Sequence, residues 1–285
     1  IDADVATAYK SIYNSVGTPG TTPGTSLVLL QAQQKLNEFA TPMSPRYATV
    51  NPAANAGLVE GMKGLFNPTD TVSRQFKNGM MGTGVLGFDE INMSQSIGMH
   101  TTGAWGTTIT STGTLSTQGQ ATLPISFTGS SKTWKQGDVF TIADVYAVNP
   151  QTRQSTGSLQ QFVVTADLTA SSTGTLSISP AIYTADHALA TVDSFPQATA
   201  VVTMLGSAST QYAQNLSYHK DAITLATADL LLPQGVDMAS RQTHNGISMR
   251  IVRQYDINND RMPCRVDVLY GYAAIRPSMA TRIWG

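Results

Sequence analysis

Apolar and polar residues alternate along residues 247–257, with Ile247, Met249 and Ile251 on one face. After a turn cluster at Asn258, Asn259 and Asp260 the alternation resumes. There Cys264, Val266, Val268 and Tyr270 point one way, and Arg265 and Asp267 the other. A period of two marks a half-buried strand, because successive side chains leave a strand on opposite faces. Asn and Asp tolerate the left-handed backbone that a turn needs. The two runs predict a long β-hairpin with a charged outer face. Pro263, early in the second run, predicts an edge or a bulge, since proline cannot donate to a ladder.

Other stretches carry a helical period. Val5, Tyr9, Ile12, Tyr13 and Val16 form one stripe and predict a helix over residues 2–16. The glycines and prolines of residues 17–24 break it. Thr25 or Ser26 then caps a second helix bearing Leu29, Ala32, Leu36 and Phe39, which Pro42 and Pro45 end. Residues 46–50 predict a short strand, and Asn51-Pro52 opens a third helical stretch.

Between residues 100 and 219 the pattern shortens. Ser, Thr and Gly dominate, and alternating runs at 121–128, 139–148, 159–167, 175–182 and 200–205 are separated by turn clusters. Short strands at this spacing predict a small all-β barrel or sandwich. A further strand, around Ile223 and Leu225, returns to the main body, and Pro233-Gln234-Gly235 is a turn.

Composition narrows the class. The chain has 285 residues, of which 12% are charged, with a net charge of −1. That fraction is about half the usual one, and fits a protein whose surface is largely spent on neighbours. The near-zero net charge gives no bulk attraction to nucleic acid. A single cysteine, Cys264, excludes an intrachain disulfide framework and reads as a small buried hydrophobe. No apolar run reaches the length of a membrane span. The first residue is Ile1, which suggests a fragment, a processed product or a partly ordered chain.

Three stretches carry a family resemblance. RIVRQYDINNDRMPCRVDVLYGYAAIRPSMATRIWG resembles the C-terminus of major capsid proteins of tailed phages, in the short-tailed branch whose coat protein has an extra domain inserted into the HK-type capsid fold. RYATVNPAANAGL and FKNGMMGTGVLGFDEINMSQSI resemble parts of the axial lobe, which meets its neighbours at the capsomer centre. WKQGDVFTIADVYAVNPQTRQSTGSLQQFVVT resembles the inserted domain. The resemblance implies an α+β fold. The end of a spine helix and the axial lobe would occupy residues 1–99, and an inserted all-β barrel residues 100–219. The axial and peripheral lobes with a long C-terminal hairpin would return over 220–285. The N-terminal arm, the extended loop and most of the spine would lie upstream. The implied function is structural: hexamers and pentamers of an icosahedral shell around double-stranded DNA, with scaffolding and portal proteins as assembly partners. The implied location is the virion, assembled in the host cytoplasm, without membrane or cofactor. An extracellular decoration or adhesin protein would share the Ser/Thr/Gly-rich composition, but would not need the helical first third.

Candidate chemistry is sparse. Gly82-Thr83-Gly84-Val85-Leu86-Gly87 matches GxGxxG, yet a helix over 69–78 is predicted before it and a strand over 88–94 after it. A dinucleotide site needs the opposite order, so a surface loop is the better reading. His100, His187, His219 and His244 show no zinc-ligand spacing. His219 lies close to Asp221, but no nucleophile elbow accompanies them, and a solvated histidine is expected. No enzyme constellation emerges. From residue 241 onward there are seven arginines and no lysine. Arg250, Arg253, Arg261, Arg265 and Arg282, with Asp256, Asp260 and Asp267, are the candidates for pairing between subunits, because arginine makes planar bidentate contacts and is enriched at interfaces.

Overall fold

A computed structural model describes residues 1–61, 79, 81–113 and 115–285. The first five strands are β1 (Ser15–Val16), β2 (Arg46–Val50), β3 (Gly82–Val85), β4 (Phe88–Met93) and β5 (Met99–Thr101). Then come β6 (Thr107–Ser111), β7 (Gln120–Thr128), β8 (Lys132–Trp134), β9 (Val139–Val148), β10 (Ser155–Val164), β11 (Leu168–Ala170), β12 (Thr173–Ile182) and β13 (Val202–Met204). The last are β14 (Gln211–His219), β15 (Ile223–Ala228), β16 (Met238–His244), β17 (Ile247–Arg253), β18 (Cys264–Ala274) and β19 (Ala280–Trp284). The α-helices among the described residues are α1 (Asp2–Val5), α2 (Ser26–Glu38) and α3 (Pro52–Gly61). The chain is β-rich, with few helices. It divides into two compact units, residues 2–223 with 274–285, and residues 224–273 with Ile1.

In the larger unit the first sheet runs β1-β19-β14-β2-β4-β3, with β5 also on β14. Leu29, Ala32 and Leu36, one stripe of α2, are fully buried in a cluster with Val50, Leu58, Phe88 and Ile283. Asn51 opens α3 as expected: its Oδ1 accepts the Ala54 amide at 2.7 Å. Gly57 and Gly61 let α3 approach the chain at Pro23–Gly24 closely. A Cβ on Gly57 would stand 2.8 Å from the Pro23 carbonyl oxygen.

The second sheet, β13-β9-β10-β12-β7-β6, and the β8–β11 pair enclose their own core of Leu123, Ile125, Trp134, Phe140, Ile142, Phe162 and Leu176. Trp134 meets Phe127 edge-on at 4.7 Å between ring centres. The change of composition at 100 and 219 and the hydrogen-bonding boundary differ, because β5 and β14 pair within the first sheet. A third apolar cluster, of Tyr13, Phe39, Val139, Ala147, Val163, Tyr212 and Trp284, joins the two sheets. Gln161 also bridges them: its side-chain amide accepts the Ser15 N–H at 2.6 Å and donates to the Ser15 carbonyl at 3.0 Å. It thereby fills the outer edge of β1 as a further strand would.

Several expectations are corrected. Residues 2–16 form not one helix but α1, a 3₁₀ turn over Ala6–Ser11 and the parallel edge strand β1. Pairing with β19 outweighs the helical stripe there, and Arg282 N donates to Asn14 O at 2.8 Å. Residues 82–87 form no loop. They build a hairpin, β3–β4, whose turn residues Leu86 and Gly87 have φ of 54° and 78°, as a tight two-residue turn requires. The helix expected over 69–78 lies outside the described residues. Cys264 is exposed.

The smaller unit is a four-stranded antiparallel-rich sheet in the order β15-β18-β17-β16. The β17–β18 hairpin is the expected one, with Ile251 opposite Val266 and Arg250 opposite Asp267. β16 is an addition that the sequence reading did not contain. Its Arg241 lies opposite Arg250 and its Ser240 opposite Ile251.

Candidate assembly surface

The register of β16, β17 and β18 sorts the small sheet into two faces. Met238, Met249, Ile251 and Val266 share one, and they are 43%, 49%, 38% and 58% exposed. The other carries Arg241, Arg250, Arg265 and Asp267. The hairpin was expected to bury one face and leave a charged one in solvent. Instead the apolar face is also open in the chain.

Four arginines of the small sheet pair with carboxylates of the same chain. Arg250 donates from Nε to Asp267 Oδ2 at 3.2 Å and reaches the Leu231 carbonyl with Nη1. Arg265, largely exposed, also donates to Asp267. The Asp267 carboxyl is held below the usual carboxylate range, first by the hydrogen bond from Arg250 and then by that from Arg265. Arg253 pairs with Asp237 at 3.1 Å, and Arg241 with Asp229 at 3.6 Å. These surface pairs fix local geometry and contribute little stability.

Asp256, Asp260 and Arg261 shape the turn between β17 and β18. The Asp256 N–H donates to the Arg261 carbonyl at 2.7 Å, and the Arg261 N–H donates back to the Asp256 carbonyl at 3.3 Å. The Asp256 carboxylate accepts the Asn258 amide at 3.1 Å and Asn259 Nδ2 at 2.8 Å. These bonds, that from Asn259 first, lower its pKa. Asp260 accepts the Tyr255 hydroxyl at 2.8 Å, which raises the tyrosine pKa.

Arg282 is a correction. It is fully buried in β19, so it offers nothing to a neighbouring subunit. Its Nε donates to the Ile12 carbonyl at 2.7 Å and its Nη1 to the Gly137 carbonyl at 2.7 Å. The guanidinium lies 5.3 Å from the centre of the Tyr9 ring. Burial pulls its pKa down to about 9, opposed by Tyr9 and Asp138, so the group is still cationic at neutral pH. Beside it lies a buried chain that no spacing announced. The Tyr9 hydroxyl is 3.4 Å from His100 Nδ1, and His100 Nε2 is 2.8 Å from Asp138 Oδ1. The Asp138 carboxylate also accepts the Gly103 amide at 3.1 Å and the Lys135 amide at 2.8 Å. His219, expected in solvent, is buried too, and its Nδ1 accepts the Asp221 amide at 3.3 Å. No group of three or more metal-ligating side chains occurs among the described residues.

The family model described as P22 coat protein (gene protein 5) matches residues 12–285. The chain belongs to the P22 coat protein family. A curated relative, the "Major capsid protein" of Acyrthosiphon pisum secondary endosymbiont phage 1, is 24% identical over 289 residues, covering 95% of this chain and 68% of the relative. Membership gives a structural, non-enzymatic role as a phage coat protein, a component of the virion.

Proposed function

We propose that copies of this chain assemble into hexamers and pentamers of an icosahedral shell that encloses double-stranded DNA. The observation that carries the reading is the family match along nearly the whole chain. In this reading the first sheet with α2 and α3 is the axial lobe of an HK-type capsid fold, and the small sheet is part of the peripheral lobe. The second sheet is the inserted β domain, with its own core of large apolar side chains. Scaffolding and portal proteins take part in assembly, which proceeds in the host cytoplasm. The DNA is enclosed without sequence-specific contacts, in keeping with a net charge of −1. The small sheet supplies contacts between subunits, supported by its open apolar face and by Arg253 and Arg265, whose guanidinium groups stand partly in solvent. Sedimentation and negative-stain electron microscopy of the expressed full-length protein test the reading. Closed particles of uniform diameter are expected. Monomers or discrete trimers at every concentration would refute it.

A further inference from the structure

Gln31, Gln34, Lys35 and Glu38 stand three or four residues apart on α2 and so share a face. That face lines an open cavity of about 410 Å³, which Thr18, after β1, and Ser158 of β10 also line. Lys35 is out of place there. It is 8% exposed, whereas a lysine is almost never so buried unless it is well paired. Its ammonium has three N–H groups to satisfy. The Glu38 carboxylate stands 3.6 Å away, too long for a strong hydrogen bond, and the Phe39 ring centre 5.5 Å away. Glu38 is itself occupied: its Oε1 accepts Gln34 Nε2 at 2.9 Å, and its Oε2 accepts the Ser158 hydroxyl at 3.4 Å. Burial pushes the Lys35 pKa below the ordinary lysine value, opposed by Glu38, so a larger share of this side chain is the free amine. A desolvated amine of lowered pKa is the form in which lysine attacks a carbonyl carbon.

We propose that Lys35 is a condensation site for a small hydroxylated aldehyde, of the aldose class, held in this cavity. The Lys35 Nζ lone pair bonds to the carbonyl carbon. One proton of the nitrogen passes by way of Glu38 Oε2 to the carbonyl oxygen. That hydroxyl then leaves as water with the second amine proton, and a C=N bond remains. Nothing is oxidised or reduced. The imine, once protonated, keeps its positive charge beside Glu38, so the ion pair survives the reaction. An acylated nitrogen would lose that charge and strand the carboxylate. The ligand class follows from the lining. Thr18, Gln31, Gln34 and Ser158 offer hydroxyl and amide groups to a hydroxylated chain. Lys35 is the one cation among the described residues that line the cavity, and Glu38 already faces it, so an added phosphate or carboxylate finds no counter-charge.

The test incubates the full-length protein with glyceraldehyde, traps imines with cyanoborohydride and assigns the adducts by peptide mass spectrometry. Lys35 should carry several-fold more adduct than Lys135 or Lys220, although those two are exposed. Propanal, of the same length without hydroxyls, should lose that preference. Glu38→Gln should lower the adduct at Lys35 by about 10²-fold, the lower end of what a positioned proton-transfer group contributes, and leave Lys220 unchanged. Calorimetry checks that this variant still folds; if it does not, the pattern of the parent with the two aldehydes decides alone. Labelling that follows exposure, with Lys135 and Lys220 ahead of Lys35, overturns the proposal. An equal preference for propanal overturns the aldose class. A rise at Lys35 in Glu38→Gln means that Glu38 only restrains the amine, and overturns its part in the proton transfer.

Discussion

Replacing Asp138 by alanine tests the buried chain that ties the second sheet to the first. The carboxylate is 1% exposed and accepts hydrogen bonds from His100 Nε2, Gly103 N and Lys135 N. It is also a counter-charge for the buried Arg282. Alanine would leave the His100 ring and two amides without their acceptor, and the guanidinium without that negative charge. An orphaned buried donor costs about 1–3 kcal/mol, and breaking one side of a buried charge arrangement about 3–5 kcal/mol. The terms overlap, so the expected loss is about 3–5 kcal/mol. At about 2–4 °C per kcal/mol for a domain of this size class, the melting temperature should fall by about 6–20 °C. Asp138→Asn keeps an acceptor oxygen and should lose less. Calorimetry measures the melting, and hydrogen exchange of residues 9–12, 100–103 and 135–138 localises the effect. An alanine variant that melts within about 2 °C of the parent would refute the reasoning. So would a loss of protection spread evenly over the chain.

Gly57→Ala should lower the melting temperature, although alanine favours an isolated helix by about 1 kcal/mol, because its Cβ would meet the Pro23 carbonyl at 2.8 Å; thermal melting gives the sign. Asp267 has a depressed carboxyl pKa in the folded chain, so its contribution is present above the unfolded value of about 3.9 and is lost as pH falls through the lower folded value. The difference in melting between parent and Asp267→Asn should therefore be constant near neutral pH and shrink below pH of about 4. Residues 102–209, expressed alone, should give a β-type circular dichroism spectrum and a cooperative melt, because Trp134, Phe140 and Phe162 lie in a core of their own. A spectrum without a transition would mean that the second sheet depends on the first.

Much of the local structure was legible because it follows from local rules. β2 and β9 lie where alternation between turn residues put them, and α2 buries the stripe of Leu29, Ala32 and Leu36. β16 was not legible. Ser240, Arg241, Gln242 and Thr243 show no apolar alternation, because neither face of the strand is buried. β19 was hidden for the opposite reason. Arg282 looked like surface charge, whereas residues 12 and 137, remote in the chain, supply the carbonyls that make its burial tolerable. Sequence spacing cannot show a partner 145 residues away, and the same holds for His100 and Asp138. Arg250, Arg253 and Arg265 lie on the two strands of the expected hairpin. Their carboxylates lie in the same unit, at Asp237 and Asp267, so ion pairing does not by itself call for a second subunit.

The central claim is that copies of this chain form a closed shell. Cryo-electron microscopy of particles purified from cells expressing the full-length protein tests it most directly. The account predicts an icosahedral shell of five- and sixfold clusters, with the two-unit fold described here in every copy. A fixed trimer, or copies attached to the outside of a shell made of another protein, would contradict it.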